Sequence, residues 1–331
     1  MKFTPRAVMA VILALGAGAL ATPAVSVAQP QSARVARIGF LGTESASGYA
    51  SRVEAVRAGL REFGYIEGKN ITIEFRWAEG KYQRLPELAA ELVDLKVDVI
   101  VTHGNGGALA AKRATTTIPI VMANVTDAVA TGIVASLAHP GGNITGTTFF
   151  GPELLVKRIE LIKVAVPRIR EVAVVLGPQN SSALSFRTAE DAARALKVGL
   201  QPFEVLGLDE LDGAFAAMAK RRIGAVVITE NPIYNPHVKR LADLAAKHRL
   251  PAIGPTLFAE AGGLLGYGVD FFAFYRRVGY FVDKILRGVR PGDLPVERAT
   301  RFELVINRKT AEALGRAIPQ ELVLRADRVI E

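Results

Sequence analysis

The sequence predicts an α/β protein of two Rossmann-like lobes, each a parallel sheet flanked by helices, joined by a three-segment hinge. Short β-rich apolar runs alternate with helical patterns, which implies parallel strands covered on both faces. The alternation runs through one series and restarts after about residue 150. At 331 residues, half of them apolar and 22% charged, the chain exceeds what one core accommodates.

In the first series VARIGFLG (35–42) is a short apolar run closed by glycine. The helix predicted over 49–63 sets Val53, Val56, Leu60 and Phe63 at spacings of three and four. NITIEFRW alternates from Ile71 to Trp77 as a strand does, and LPELAAELVDL is a helix with Pro86 in its first turn. VDVIVTHG reads as a buried parallel strand, 107–114 as a helix of small residues, and IPIVMAN as the next strand. A short helix over 132–137 then leads to HPGGNITGTTFF, where Pro140, Gly141 and Gly142 turn the chain into the strand ITGTTF.

The second series begins with a helix over 153–166 and the strand EVAVVLG. Helices over 184–196, 211–220 and 236–248 then alternate with LQPFEVLG, GAVVITE and LPAIGP. The tail holds strand-like GGLLGYGVDF, a helix over 275–287, the strand TRFELVIN and a helix over 310–314. These pieces are too few for a third domain, so they complete the two lobes. Crossings fall near 146–148, 266–270 and 295–302. Lobe 1 is expected to span 34–146 with about 269–296, and lobe 2 to span 149–266 with about 301–331.

The first residues stand apart. Lys2 and Arg6 precede an apolar run over 7–21, the size of a signal-peptide core, and Ser26-Val27-Ala28 supplies small cleavage-site residues. Residues 1–28 are therefore expected to be a signal peptide and the mature chain periplasmic. The absence of cysteine excludes disulfides, iron–sulfur clusters and thiolate zinc sites. The net charge of +9 is scattered, and its longest basic run, 220–222, suits a solvated helix end rather than a nucleic-acid surface.

Catalytic motifs are missing. His103, His139, His237 and His248 lie far apart, with no HxH, HxxxH or HExxH pair. There is no GxSxG elbow, no Walker lysine loop and no GxGxxG after the first strand. THGNGGAL (102–109) comes nearest to a phosphate loop, but without lysine or an acidic partner it suits a ligand-facing turn of backbone N–H donors. The expectation is a protein that is not an enzyme, with no cofactor and no metal.

The positive signal is positional. In open α/β sheets ligands bind beyond the carboxyl ends of the strands. Those ends carry Thr43 and Ser45, Gly104 and Asn105, and Asn124 and Asp127 in lobe 1. In lobe 2 they carry Asn180, Ser181, Glu230 and Asn231. Thr148 and Phe149 sit at the first crossing, where a closing cleft would bring them to a ligand, with Tyr49 as another apolar wall. Such residues also cap helices in any α/β protein, so their collective placement carries the reading.

LREFGYIEGKNITIEFRWAEGKYQRLPELAAELVDLKVDVIV (60–101) is followed in order by TTIPIVMANVTDAV, HPGGNITG, KHRLPAI, GYGVD and FELVINRKTAEALG. Together these resemble the ABC-transporter substrate-binding family related to tryptophan and other aromatic amino-acid binding proteins. The resemblance implies the type I periplasmic-binding fold. It also implies a small-molecule solute captured by lobe closure, delivery to a membrane permease and ATPase, and a monomeric carrier without catalysis. It further implies an acidic group and asparagines at strand ends that hold a zwitterion. Asn124, Asp127, Asn180, Asn231 and Asp270 match such positions. Glu230 stands where relatives have aspartate or proline, and GTES departs from their small-residue turn. A small zwitterionic or carboxylate solute is expected. A ligand-sensing periplasmic module that signals to a membrane receptor would use the same fold and is the alternative.

Overall fold

The computed structural model describes residues 35–177 and 180–331, with side chains omitted over 180–185. The expected signal peptide lies outside the described residues. The first series comprises β1 (Ala36–Gly42), α1 (Ala46–Glu62), β2 (Ile71–Trp77), α2 (Leu85–Asp94), β3 (Val99–His103), α3 (Gly104–Ala114), β4 (Ile120–Thr126) and β5 (Ile144–Phe149). The second opens with α4 (Gly151–Ala165), β6 (Glu171–Leu176), α5 (Asn180–Ala195), β7 (Gly199–Glu204) and α6 (Leu211–Lys220). It continues through β8 (Ala225–Ile228), α7 (Val238–Lys247), β9 (Ala252–Gly254), α8 (Thr256–Glu260) and β10 (Leu265–Gly268). The tail adds α9 (Phe271–Leu286), β11 (Glu297–Arg298), β12 (Glu303–Asn307), α10 (Arg308–Ala313), α11 (Gln320–Leu324) and β13 (Arg328–Ile330).

These strands form two sheets, ordered β11-β5-β4-β3-β1-β2 and β13-β12-β10-β9-β8-β6-β7. Both sheets are wound alike, with the first strand of each series lying between the second and third. That reversal opens a crevice at the carboxyl ends of the first and third strands. β12 pairs antiparallel with β10, and the other pairs are parallel.

Side chains alternate between two cores on either side of each sheet. In the first lobe Ile38, Phe40, Val99 and Val101 pack under α1 and α9, whereas Leu41, Ile100 and Met122 pack under α2 and α3. In the second lobe Val172 and Val174 face one cluster, and Ala173 and Val175 the other. β3 and β5 are buried along their whole length, as central parallel strands must be.

α9 follows β10 of the second sheet yet packs on the first lobe. It crosses α1 where two glycines meet: a Cβ at Gly59 would overlap the Arg276 carbonyl, and one at Gly279 would overlap Gly59 itself. The backbones can therefore approach closely, and Tyr275, Val278 and Val282 join Val53, Val56 and Leu60 in one core.

The chain passes from sheet to sheet after Phe149, after Gly268 and between Arg298 and Glu303. Buried side chains from all three passages meet in one small apolar cluster, Phe149 and Leu154 with Val269, Phe271 and Ala299. The Phe149 and Phe271 rings pack edge to face, 5.5 Å apart.

Two expectations need correction. Residues 132–137 are turns rather than a helix. Ile133 N and Val134 N both donate to Ala128 O, and Gly132 takes φ 70°, so turns bury the apolar residues that suggested helical spacing. β5 also stays in the first sheet beyond residue 146, because Thr148 and Phe149 still pair with Val125 and Thr126. Upstream, β4 carries an extra residue between Met122 and Val125, opposite Thr147, and the neighbouring Gly146, with φ 137° and no Cβ, sits against the Met122 carbonyl. The short elements α8, α11, β11 and β13 have no counterpart in the sequence reading.

Candidate functional site

The ends of β1 and β3 are tied together at the rim of lobe 1. Thr43 N donates to His103 Nε2 at 3.2 Å, so in the neutral ring the proton sits on Nδ1. Burial, with the nearby Arg52 charge, lowers His103 to about 3 and keeps it neutral. Tyr49, from the first turn of α1, stacks on the His103 ring at 4.3 Å. Tyr275 of α9 lies 6.0 Å from His103 and 6.3 Å from Tyr49. Thr43 Oγ1, His103 Nδ1 and the hydroxyls of Tyr49, Tyr82 and Tyr275 are buried without a hydrogen-bond partner.

The end of β4 adds acceptors. Within the irregular stretch and just after it, Asn124 and Asp127 adopt φ values of 54° and 47°, a left-handed backbone that residues other than glycine rarely take. Asn124 N donates to Thr147 Oγ1, while Asn124 Oδ1 and both Asp127 carboxylate oxygens find no partner. Burial pushes Asp127 up to about 6. Glu44, next to Thr43, is pushed up to about 7 by burial and by the charge of Glu79, and its Oε1 is also unpartnered.

At the end of β8, lobe 2 presents polar groups that are already engaged. Arg158, fully buried on α4, holds both carboxylate oxygens of Glu230 and also donates to the Ile228 and Tyr267 carbonyls. Asn231 Oδ1 accepts from Ile233 N at 2.9 Å, and Thr229 Oγ1 donates to Val175 O at 2.7 Å. The Tyr234 hydroxyl reaches Val205 O at 2.6 Å and Leu176 O at 3.1 Å.

The two rims face one another across a narrow cleft. Tyr82, Gly104, Asn105, Asn124 and Phe149 line it from lobe 1, and Glu230, Asn231, Pro232 and Asn235 from lobe 2. At Gly104 a Cβ would lie 3.0 Å from Pro232 Cγ, so a side chain there would press on the opposite lobe.

Six of the predicted residues, Gly104, Asn105, Asn124, Phe149, Glu230 and Asn231, thus line one cleft, with Thr43 beside it on His103. The others are placed differently. Asp270 is exposed and caps α9 by accepting from Phe272 N and Ala273 N, so it stays outside the cleft lining. Glu230 reaches the cleft, but Arg158 neutralises its charge. Ser45 caps α1 by accepting from Gly48 N. Asn105 splints α3 to β4 through two bonds of 2.9 Å to the Thr126 main chain. Thr148 Oγ1 is engaged by Ala128 N and Val125 O, and with Asp127 it lines a separate hollow beside Arg298. The side chains of Asn180 and Ser181 lie outside those described.

Sequence reasoning overlooked Tyr82, Tyr275 and Arg52. Tyr275 belongs to an apolar helical stripe, where a tyrosine reads as ordinary core. Tyr82 sits in a charged loop where nothing in the spacing marks it.

A family model, ABC transporter substrate binding protein, matches residues 41–330. The chain is 29% identical over 259 residues to the tyrosine-binding protein of Clostridioides difficile (strain R20291), covering 77% of this chain and 74% of that one. A conserved domain protein from Vibrio cholerae has the same fold, with TM-score 0.83 and 28% identity over 89% of this chain and 100% of that one. The L-Trp complex of an ABC domain from Streptococcus pneumonia also shares the fold, with TM-score 0.81 and 24% identity over 89% and 99% of the two chains. Among the described residues no helix is long and apolar enough to cross a membrane. The chain belongs to the ABC transporter substrate-binding protein family.

Proposed function

We propose that this family member captures a small amino acid or related carboxylate between its lobes and passes it to the permease and ATPase of an ABC importer. One observation carries the reading. The buried polar atoms left without partners among the described residues all lie on lobe 1, and apart from those of Asp127 they gather at or beside the cleft, while the facing β8 end of lobe 2 is internally bonded. An unpartnered buried polar group costs about 1–3 kcal/mol, so several in one place favour a ligand that satisfies them together. The tyrosine-binding protein of C. difficile supports an amino acid as that ligand.

In this reading lobe 1 comprises residues 35–149 with 271–298, and lobe 2 comprises 151–268 with 303–331. Closure about the three passages shifts a pre-existing equilibrium between open and closed forms. Residues 1–28 serve as an export signal, and the mature protein acts in the periplasm as a monomer.

Thermal-shift screening against amino acids, aromatic acids and dicarboxylates tests the proposal. A ligand at a hundred times its dissociation constant adds about 2.7 kcal/mol of stability. A panel in which no amino acid and no carboxylate raises the melting temperature would sink it.

A further inference from the structure

Arg52, in the second turn of α1, is 5% exposed and forms no ion pair, although every Asp and Glu of the chain lies among the described residues. Among the described residues it has a single hydrogen bond, Nη1 donating to Gly48 O at 3.3 Å. A guanidinium has five N–H donors, so most of its capacity is unused by protein groups. The charge rests on aromatic faces instead, 4.8 Å from the Tyr49 centroid and 5.8 Å from that of Phe272. Cation–π contacts contribute about 2 kcal/mol when desolvated, less than the several kcal/mol that burying a lone charge costs. The site is built for an anion.

The location agrees. Gly48, which accepts the Arg52 bond, faces lobe 2, since a Cβ there would lie 3.3 Å from Pro236 Cβ. The guanidinium therefore sits just behind the seam between the lobes. Beside it the unpartnered groups include donors, His103 Nδ1–H and the hydroxyls of Tyr49 and Tyr275. The unpartnered carboxylate and amide oxygens belong to other residues, Glu44 and Asn124.

We infer that Arg52, with His103, Tyr49 and Tyr275, forms an anion pole that receives the carboxylate of the ligand, while Glu44 and Asn124 accept from its ammonium. This rests on the cleft being the solute site and adds the polarity of the solute: an α-amino acid enters with its carboxylate toward α1.

Calorimetric titration of the protein and its Arg52→Gln variant with L-tyrosine, tyramine and benzoate tests this. Tyramine keeps the ring and ammonium of tyrosine but lacks the carboxylate. The wild type should bind L-tyrosine at least about 30-fold more tightly than tyramine, about 2 kcal/mol at 1.4 kcal/mol per tenfold. Arg52→Gln should weaken L-tyrosine and benzoate by a similar factor and leave tyramine within about threefold, because both changes delete one interaction. The variant without ligand should melt no lower than wild type, since it loses an uncompensated charge. Equal binding of tyramine and L-tyrosine by the wild type, a comparison that needs no variant, would overturn the anion pole and leave the cleft reading standing. So would an unchanged L-tyrosine affinity in Arg52→Gln. Should neither L-tyrosine nor benzoate bind, the amino acid that the thermal-shift panel selects and its decarboxylated amine replace them, and equal binding of that pair overturns the anion pole; a panel without any binder overturns it together with the reading it rests on.

Discussion

The two lobes share one winding, yet their rims are chemically opposite. At the first-strand and third-strand ends of lobe 1, hydroxyls, a ring N–H and carboxylate oxygens are buried without partners. At the third-strand end of lobe 2, Glu230 is held by Arg158, and Thr229, Asn231 and Tyr234 bond to main chain. The difference teaches that a shared topology supplies the place for a ligand but not the division of labour. On the proposed reading, one lobe carries the recognition chemistry, and the other provides a stable wall that closes over it.

Mutations of lobe 2 should break this contrast by unfolding the protein. Arg158→Met leaves the Glu230 carboxylate buried and unpaired, and should cost about 3–5 kcal/mol in urea denaturation. Next in size, Gly59→Ala drives a methyl group into the Arg276 carbonyl and should cost about 1–3 kcal/mol. Because α9 carries Tyr275, the same variant should weaken ligand binding in calorimetry, as a change far from the cleft ordinarily would not.

A matched pair of hydroxyl deletions puts the comparison most directly. Tyr234→Phe in lobe 2 removes a bonded hydroxyl and strands the Val205 carbonyl, at a cost of about 1–2 kcal/mol. Tyr275→Phe in lobe 1 removes an unpartnered hydroxyl and should leave the fold no less stable than wild type while weakening ligand. Equal costs in the two lobes would erase the distinction.

The smallest effect concerns pH. Glu44 rises from 4.5 to about 7 and Asp127 from 3.8 to about 6 in the folded protein. The folded form therefore holds extra protons between the ordinary and raised values, and stability falls as pH rises through that window. His103, held neutral at about 3, works the other way as pH falls below its ordinary 6.5, so the test is a difference: the melting temperature at pH 5 minus that at pH 7.5 should be lower in Glu44→Gln than in wild type.

Much of the frame was legible because buried parallel strands write themselves as short apolar runs. VIVTH and EVAVVL are strands where the pattern places them, and the restart after residue 150 marks the second sheet. The strand ends carrying Gly104, Asn105, Asn124 and Asn231 were also readable, since the carboxyl edge of a parallel sheet follows from topology alone. What stayed hidden depends on partners distant in sequence. Glu230 looked like a ligand group because nothing near it reveals Arg158, 72 residues away. Asp270 looked like one because a helix cap and a cleft residue have the same composition. Arg52 passed unnoticed among the charges of a helix, and its burial appears once α9 lies across α1.

The apolar cluster at the three passages has a mechanical consequence. Phe149, Leu154, Val269, Phe271 and Ala299 meet through dispersion contacts, which have no preferred angle of the kind a hydrogen bond imposes. Such a joint resists separation but yields to small rotations, like a greased bearing rather than a spring. A solute that draws the rims together would then do little work against the pivot. Most of its interaction energy would remain as affinity, and the carrier would reopen without having to break a lock.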